Sequence, residues 1–404
     1  MKFETNKIYH GDTLDVLKTF HNESINMCIT SQPYWALRDY GTDGVVWDGD
    51  KDCEHEFELI EKITNNVVSN KSTLNNGKGV KENEKIKQMF NVSKNGFCIH
   101  CGAWKGQLGL EPDFNLYLKH LCDIFDEVKR VLRKDGTLWV NLGDTYNSAK
   151  PGKTVGGFEG ALLKNNPEYY YSKIISKSVD KPLPSKSLCN IPARFSIEMQ
   201  NRGWILRNKI IWHKPNCMPS SVSDRFTVDF EEIFFFSKHT KYYFEQQFED
   251  YKIESLERAC RATTSKKVSA KQYAHSRTRE YIGYDDMEGK LMRGELSHAL
   301  HPEGRNKRTV WEVSTKGYKG AHFATYPEEL IEVPIKAGCP IGGVVLDTFM
   351  GSGTTALGAL KQNKHFVGID INQDYIDMAY NRIKPYLAQT KLFDLKGEIN
   401  VRRK

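Results

Sequence analysis

The sequence predicts an α/β fold, a mainly parallel sheet covered by helices on both faces. Two observations carry that expectation. Short apolar runs, rich in β-branched and aromatic residues, are bounded by Gly, Asp or Asn. Between many of them lie stretches with helical periodicity, and strands alternating with helices build parallel sheets.

In chain order, the run at 7–10 (KIYH) precedes a helical pattern at 13–20, and the run at 26–30 (NMCIT) ends at a Ser-Gln-Pro turn. A long helical pattern at 114–133 feeds the strand at 136–141 (GTLWVN), and the helix at 190–202 feeds the strand at 207–213 (RNKIIWH). The strand at 230–237 (FEEIFFFS) closes the middle of the chain. Near the end come a strand at 344–347 (VVLD), a helix at 354–362, a strand at 366–370 (FVGID) and a helix at 373–386.

Two stretches break this rhythm. From about 58 to 96 the chain is polar, rich in Asn and Lys and without periodicity, as expected of a mobile surface loop. From about 246 to 320 aliphatic residues are few and basic and hydroxyl residues many. Neither stretch is expected in the sheet. The predicted organisation is therefore a core in three parts, 1–50, 106–245 and 322–404. It is interrupted by an insertion at 51–105 and a second region at 246–321.

With 404 residues, the chain has room for one large domain with insertions, or for two domains. At 27% charged and 39% hydrophobic residues it has no run long enough to span a bilayer, so a membrane protein is not expected. The start, MKFETNKIYHGD, lacks an apolar signal core, and a soluble cytoplasmic protein is expected. A net charge of +7 is modest at this size and says little until its distribution is known. Nine cysteines in such a setting are expected to be thiols or metal ligands rather than disulfides.

The most informative segment is GGVVLDTFMGSGTTALGAL. A buried strand ending at Asp347 leads to Gly351 and Gly353, and Thr354 opens a helix. Glycines at such a turn let the backbone approach a ligand, and a helix N-terminus favours an anionic group. Twenty-three residues beyond Asp347 the next strand ends in Asp370, where a carboxylate can accept hydrogen bonds from two ribose hydroxyls. There is no third glycine at the helix start and no second mononucleotide half, which argues against a dinucleotide. On spacing alone, a bland strand–helix turn without a ligand stays open.

Here a resemblance becomes definite. DTFMGSGTT followed by VGIDIN resembles the S-adenosylmethionine site of DNA amino-methyltransferases, and TSQPYWALRDYG resembles their catalytic loop, usually Asp/Asn/Ser-Pro-Pro-Tyr. The loop precedes the cofactor turn, as in the permuted, or beta, group of that family. QLGLEPD, GTLWVNLGDTY, IIWHKPN and KGAHFATYPEEL resemble further stretches of the group. The resemblance implies a Rossmann-like S-adenosylmethionine-dependent methyltransferase sheet, circularly permuted. The cofactor strand (344–347) and ribose strand (366–370) end the chain, and the adenine-side strand (7–10) and catalytic strand (26–30) begin it. It also implies cofactor contacts from Asp347, Phe349, Gly351, Gly353, Thr354 and Asp370. Asp12 is a candidate for the acid beside the adenine, and equally an N-cap for the helix at 13–20.

Transfer of a methyl group to an exocyclic amine must overcome delocalisation of the nitrogen lone pair into the base. Acceptors on the two N–H groups draw the nitrogen toward tetrahedral geometry and offset its developing positive charge. The resemblance assigns those acceptors to Ser31 Oγ and the Gln32 carbonyl, with Pro33 as the stiffening turn. Tyr34 would stack on a base flipped out of the duplex, and Trp35 would help close the pocket. Gln32 departs from the usual proline, keeping the carbonyl but adding an amide and an N–H. In the family a leading serine goes mostly with cytosine N4, and Asp or Asn mostly with adenine N6. Cytosine-N4 methylation of double-stranded DNA is therefore the first expectation and adenine-N6 the second. A methyltransferase acting on RNA or protein amines could carry a similar loop, and a catalytically silent DNA-binding homologue could keep the fold.

Between Arg258 and Arg279 stand Arg258, Arg261, Lys266, Lys267, Lys271, Arg277 and Arg279 with no acidic residue, and EGRNKRTVW follows. Such a stretch suits phosphate and base-edge contacts, and it lies where the permuted group carries its target-recognition region. A solvated basic loop would have the same composition. Cys53-x-His55 and Cys98-x-x-Cys101 bracket the polar loop and supply four zinc ligands of common type, with His100 as a competitor. The 42 residues between them, 56–97, are tolerable because loop-closure entropy grows only logarithmically. Such a site, with all four positions filled, would be structural. A restriction endonuclease partner is plausible from the resemblance, and monomer and homodimer are both open.

Overall fold

The computed structural model describes residues 3–65 apart from 41 and 43, 90–147, 183–252, 301–315 apart from 302, and 326–401. The elements are β1 (Lys7–His10), α1 (Thr13–Thr19), β2 (Ile25–Thr30), β3 (Val45–Trp47), β4 (Phe57–Asn65), β5 (Phe90–Cys98), β6 (Trp104–Gly106), α2 (Phe114–Val131), β7 (Leu132–Leu142) and α3 (Ile191–Asn201). They continue with β8 (Ile205–His213), β9 (Phe230–Ser237), β10 (Phe248–Glu249), β11 (Arg305–Asn306), β12 (Val310–Glu312), α4 (Glu328–Gly338), β13 (Val344–Asp347), α5 (Thr354–Lys361), β14 (His365–Asp370) and α6 (Gln373–Val401).

Among the described residues the main sheet has the order β1-β14-β13-β2-β7-β9-β8-β12. The first five strands run parallel, and β9 is antiparallel to both β7 and β8. The permutation is explicit in the pairing. Lys7–His10 lies along Val367–Asp370, and Val345 and Leu346 lie beside Met27 and Cys28, so the two ends of the chain share one sheet. The mainly parallel sheet expected from the sequence is thus observed, as are all seven expected strands.

Burial explains why those strands were readable. In β9, Phe234 and Phe236 belong to one apolar cluster and Ile233 and Phe235 to the other, so alternate side chains enter opposite cores. Helices α1, α2 and α3 cover one face through Leu17, Phe125 and Phe195. Helices α4, α5 and α6 cover the other through Ile335, Leu357 and Ile376. No helix among the described residues is long and apolar enough to cross a membrane.

Three expectations change. The polar stretch begins and ends in structure: β4 pairs with β5 from Phe57↔Cys98 to Asn65↔Phe90, within a small four-stranded sheet ordered β3-β6-β5-β4. Backbone pairing holds that hairpin, which a search for side-chain periodicity misses. Residues 310–312, assigned to the region outside the sheet, form β12, an edge strand parallel to β8 in the main sheet. Helix α4 carries Pro334 in its interior, which hid an otherwise amphipathic segment.

Candidate active site

The loops that follow β1, β13 and β14 meet at the carboxyl ends of the parallel strands, where ligands bind in open α/β sheets. Backbone bonds knit them together. The Gly11 N–H donates to the Asp370 carbonyl, the Met350 N–H to the Ile369 carbonyl, and Thr13 Oγ1 to the Thr348 carbonyl at 2.8 Å. A cavity opens there, and its lining includes Asp12, Ser31, Phe349, Gly351, Thr354 and Asp370.

The glycine turn adopts the backbone the sequence suggested. Gly351 has φ +52 and its N–H donates to Asp370 Oδ2 at 2.7 Å. Gly353 has φ +79 and caps α5 without any side-chain hydrogen bond to the helix start. A Cβ at Gly353 would lie 2.8 Å from the Ala379 Cβ, so α6 as well as the dihedral demands glycine. Asp370 Oδ1 accepts from the Asn372 N–H at 2.9 Å. Burial outweighs both backbone bonds and pushes the Asp370 carboxyl up to about 6.

Asp12 caps the helix and also faces the cavity. Its Oδ1 accepts from the Leu14 and Asp15 N–H groups, capping α1, while the residue lines the cavity. Burial raises its carboxyl above the usual range. Asp347 stands behind the wall. Its Oδ1 accepts from Thr30 Oγ1 at 2.7 Å and the Phe349 N–H at 3.0 Å, and its Oδ2 from Thr355 Oγ1 at 2.5 Å and Tyr326 at 3.0 Å.

The loop after β2 brings Ser31 and Pro33 to the same cavity, with Gln32 and Tyr34 packed behind. Tyr34 donates its hydroxyl to Glu231 Oε2 at 2.7 Å, and Asn141 Nδ2 donates to the same oxygen at 3.0 Å. Lys214 pairs with the other oxygen of Glu231. The Tyr34 ring lies so close to Gly143 that a Cβ there would come within 2.6 Å of it. Burial, and then the Glu231 carboxylate, raise the Tyr34 phenol well above its ordinary value. Gln32 is buried. Its Nε2 donates to the Asn141 carbonyl at 3.3 Å, while its Oε1 has no partner among the described residues.

The loop is also held from the far side. Tyr117 donates to the Pro33 carbonyl at 2.8 Å, and Trp35 Nε1 donates to the Glu111 carbonyl at 2.9 Å. The Glu111 carboxylate accepts the Gly109 N–H at 2.7 Å and stands 3.0 Å from His120 Nδ1. Burial raises the Glu111 carboxyl, a shift these bonds only partly oppose.

Several lining residues went unnamed in the sequence. Tyr326 and Gln107 lie inside KGAHFATYPEEL and QLGLEPD, stretches that resemble the family, so their neighbourhoods carry a signal. Trp47 and Tyr375 arrive from a three-residue strand and a helix face, and nothing local marks them. Cys53, His55, Cys98 and Cys101 come together at the base of the β4–β5 hairpin, their ligand atoms all within 4.8 Å of one another. His100 instead faces Glu56 at 3.4 Å. The basic candidates Arg258, Arg261, Lys266, Lys267, Lys271, Arg277 and Arg279 lie outside the described residues. Of the basic run after them, Arg305 and Arg308 share the Glu249 carboxylate.

Residues 25–381 match the N6/N4 family described as DNA methylase. The chain belongs to that family. It is 32% identical to the Type II methyltransferase M.Cfr9I of Citrobacter freundii over 93% of this chain and 87% of that protein. It is 30% identical to the Type II methyltransferase M.SmaI of Serratia marcescens over 93% and 90%. Among solved structures, PvuII DNA methyltransferase (cytosine-N4-specific) aligns with a TM-score of 0.47 and 14% identity, over 94% of this chain and 86% of that one. The protein is therefore a DNA amino-methyltransferase, and S-adenosylmethionine is its cofactor.

Proposed function

We propose that this methyltransferase modifies the exocyclic N4 amine of a cytosine flipped out of duplex DNA, at a specific site. The observation that carries the reading is Ser31, a hydroxyl in the position of the loop's first acceptor, on the wall of the same cavity as Asp370 and the Gly351 turn.

The residues present fit the cofactor. Asp370 offers a buried carboxylate to a ribose diol, Gly351 keeps the backbone clear, and Asp12 adds negative charge toward a cationic ligand. When bound, S-adenosylmethionine supplies an electrophilic methyl group carried on sulfonium. The chain's part is to prepare the nucleophile. Ser31 Oγ and the Gln32 carbonyl accept from the amine's N–H groups, which localises the lone pair and stabilises the positive charge that forms on nitrogen. The pins on Tyr34, Pro33 and Trp35 keep those acceptors from moving during the step. A proton then leaves the methylated nitrogen to solvent.

Target reading is assigned to the region 246–321, whose basic residues suit phosphate contacts. The relatives' description as Type II methyltransferases supports a restriction–modification role beside a cognate endonuclease.

Nucleoside mass spectrometry on DNA incubated with the protein and S-adenosylmethionine is the test. N4-methylcytosine is expected. N6-methyladenine would overturn the reading of Ser31 while leaving the family intact. No modified base, with the cofactor bound normally, would point to Gln32 and a silent DNA-binding role.

A further inference from the structure

We propose that Cys53, His55, Cys98 and Cys101 bind a structural zinc ion, and that this ion holds one wall of the cofactor cavity in place. The proposal rests on the reading of that cavity as the S-adenosylmethionine site.

The metal half follows from geometry. With Zn–S near 2.3 Å and Zn–N near 2.0 Å, a tetrahedral site sets two sulfurs about 3.8 Å apart and sulfur and nitrogen about 3.5 Å apart. Cys53 Sγ and Cys98 Sγ stand 3.8 Å apart, and Cys101 Sγ lies 3.3 Å from His55 Nδ1. The cysteines are free, so the sulfurs are not close through a disulfide. The long intervening segment is no obstacle, because Phe57 pairs directly with Cys98 and brings the two ligand pairs together by strand pairing. Four protein ligands leave no open position for water, the mark of a structural site.

The coupling half follows from what the ligands adjoin. Cys98 ends β5, which pairs with β6 through Phe97↔Trp104, and β6 pairs with β3 through Trp47↔Trp104. Gly49, at φ +92, packs so tightly that a Cβ would fall 2.5 Å from the Ala103 Cβ and 3.1 Å from Cys101 Sγ. The ligand turn and the end of β3 are therefore one packed unit. On its other side, Val45, Trp47, Gln107 and Leu108 line the cofactor cavity. The same unit reaches the catalytic loop. Trp47 stacks on His120 at 4.6 Å, and His120 bridges Asp48 and Glu111, the residue that holds Gly109. Strands of three residues cannot fix such a wall by their own hydrogen bonds, and a metal at its foot can.

The experiment measures zinc in the purified full-length protein and titrates S-adenosylhomocysteine into it before chelation, after chelation and after zinc is restored. One zinc per chain is expected, lost in Cys98→Ser/Cys101→Ser. Removal should weaken S-adenosylhomocysteine binding by a factor on the order of ten, and zinc should restore it. Restoration separates the effect from irreversible misfolding. Protein that carries no zinc and takes up none overturns the site. Zinc that comes and goes without changing affinity overturns the coupling. Should Asp370→Ala also leave affinity unchanged while zinc is bound as expected, the failure lies in the reading of the cofactor cavity and not in the metal site.

Discussion

Replacing Asp370 by Asn separates what this carboxylate does for folding from its proposed role toward the cofactor. Its carboxyl is raised from an ordinary 3.8 to about 6 because burial penalises the charge more than the Asn372 and Gly351 N–H groups reward it. The folded protein thus holds this proton more tightly than the unfolded chain. As pH rises from 3.8 to about 6, the unfolded chain loses the proton first and stability falls; above about 6 both states are ionised and the loss is complete. At about 1.4 kcal/mol per pH unit, the rise corresponds to a cost of about 3 kcal/mol at neutral pH. Asn cannot ionise, so its stability relative to wild type should improve by most of that amount between pH 4 and pH 7, about 2.4 kcal/mol. A constant offset of about 1–2 kcal/mol against it comes from the backbone N–H that now faces an amide. Taking the difference between the two proteins cancels every other titrating group. Urea unfolding at a series of pH values reads it directly. Binding should move the other way. Losing the charged acceptor proposed for the ribose hydroxyls should weaken S-adenosylhomocysteine by about 2 kcal/mol, roughly thirtyfold. Wild-type affinity should rise as pH passes through about 6, and that of Asp370→Asn should not. A stability difference that stays flat with pH would refute the reasoning.

If Ser31 is the proposed acceptor for the base amine, Ser31→Ala should lower turnover by about 100-fold or more while S-adenosylhomocysteine affinity, measured by calorimetry, stays near wild type. Gly353→Ala should lower stability by about 1–3 kcal/mol in thermal melts, from the φ of +79 and the 2.8 Å approach to Ala379. Glu111→Ala should cost about 3 kcal/mol in urea unfolding, since it strips acceptors from the buried His120 and the Gly109 N–H, and Glu111→Gln should recover part of it.

What the sequence revealed, and what it hid, divides by the range of the physics involved. Strands such as β9 and β13 bury side chains on both faces, and each carries a short apolar run, Ile233–Phe236 and Val344–Leu346. The Gly351 turn and Asp370 are equally local: a dihedral demand and a carboxylate at a strand end. The small sheet is different. Its strands β3 and β6 have three residues each, too few to show a period. Trp47 enters the cavity at the strand ends only because distant segments pair. The proposed metal ligands sit between these cases. Their spacing marked them as a set, but the Phe57↔Cys98 pairing that joins the two halves could not be read from composition. Asp347 shows the converse, a residue legible by position whose contacts were not.

Those contacts bear on how the two halves of the site stay in register. Asp347 ends β13, and Thr30 ends β2 beside it. The hydrogen bond between them ties the cofactor turn to the catalytic loop across a sequence gap of more than three hundred residues. With Phe349, Thr355 and Tyr326 also donating, the carboxylate is fully engaged within the protein although burial raises its carboxyl. Its geometry is that of a pin. Asp347→Asn can keep the Thr30 and Phe349 bonds on its remaining oxygen, and the hydroxyls of Thr355 and Tyr326 can turn to accept from the new amide. The substitution should therefore leave S-adenosylhomocysteine affinity within about threefold of wild type, in contrast to Asp370→Asn. Asp347→Ala removes the acceptor shared by four donors, of which only the Tyr326 and Thr355 hydroxyls can still bond each other, and should cost about 3 kcal/mol or more of stability and lower turnover as the loop after β2 slips against the glycine turn. Equal losses of cofactor affinity in Asp347→Asn and Asp370→Asn, with Asp347→Asn folded as wild type, would make Asp347 a direct cofactor ligand and undo its reading as a pin.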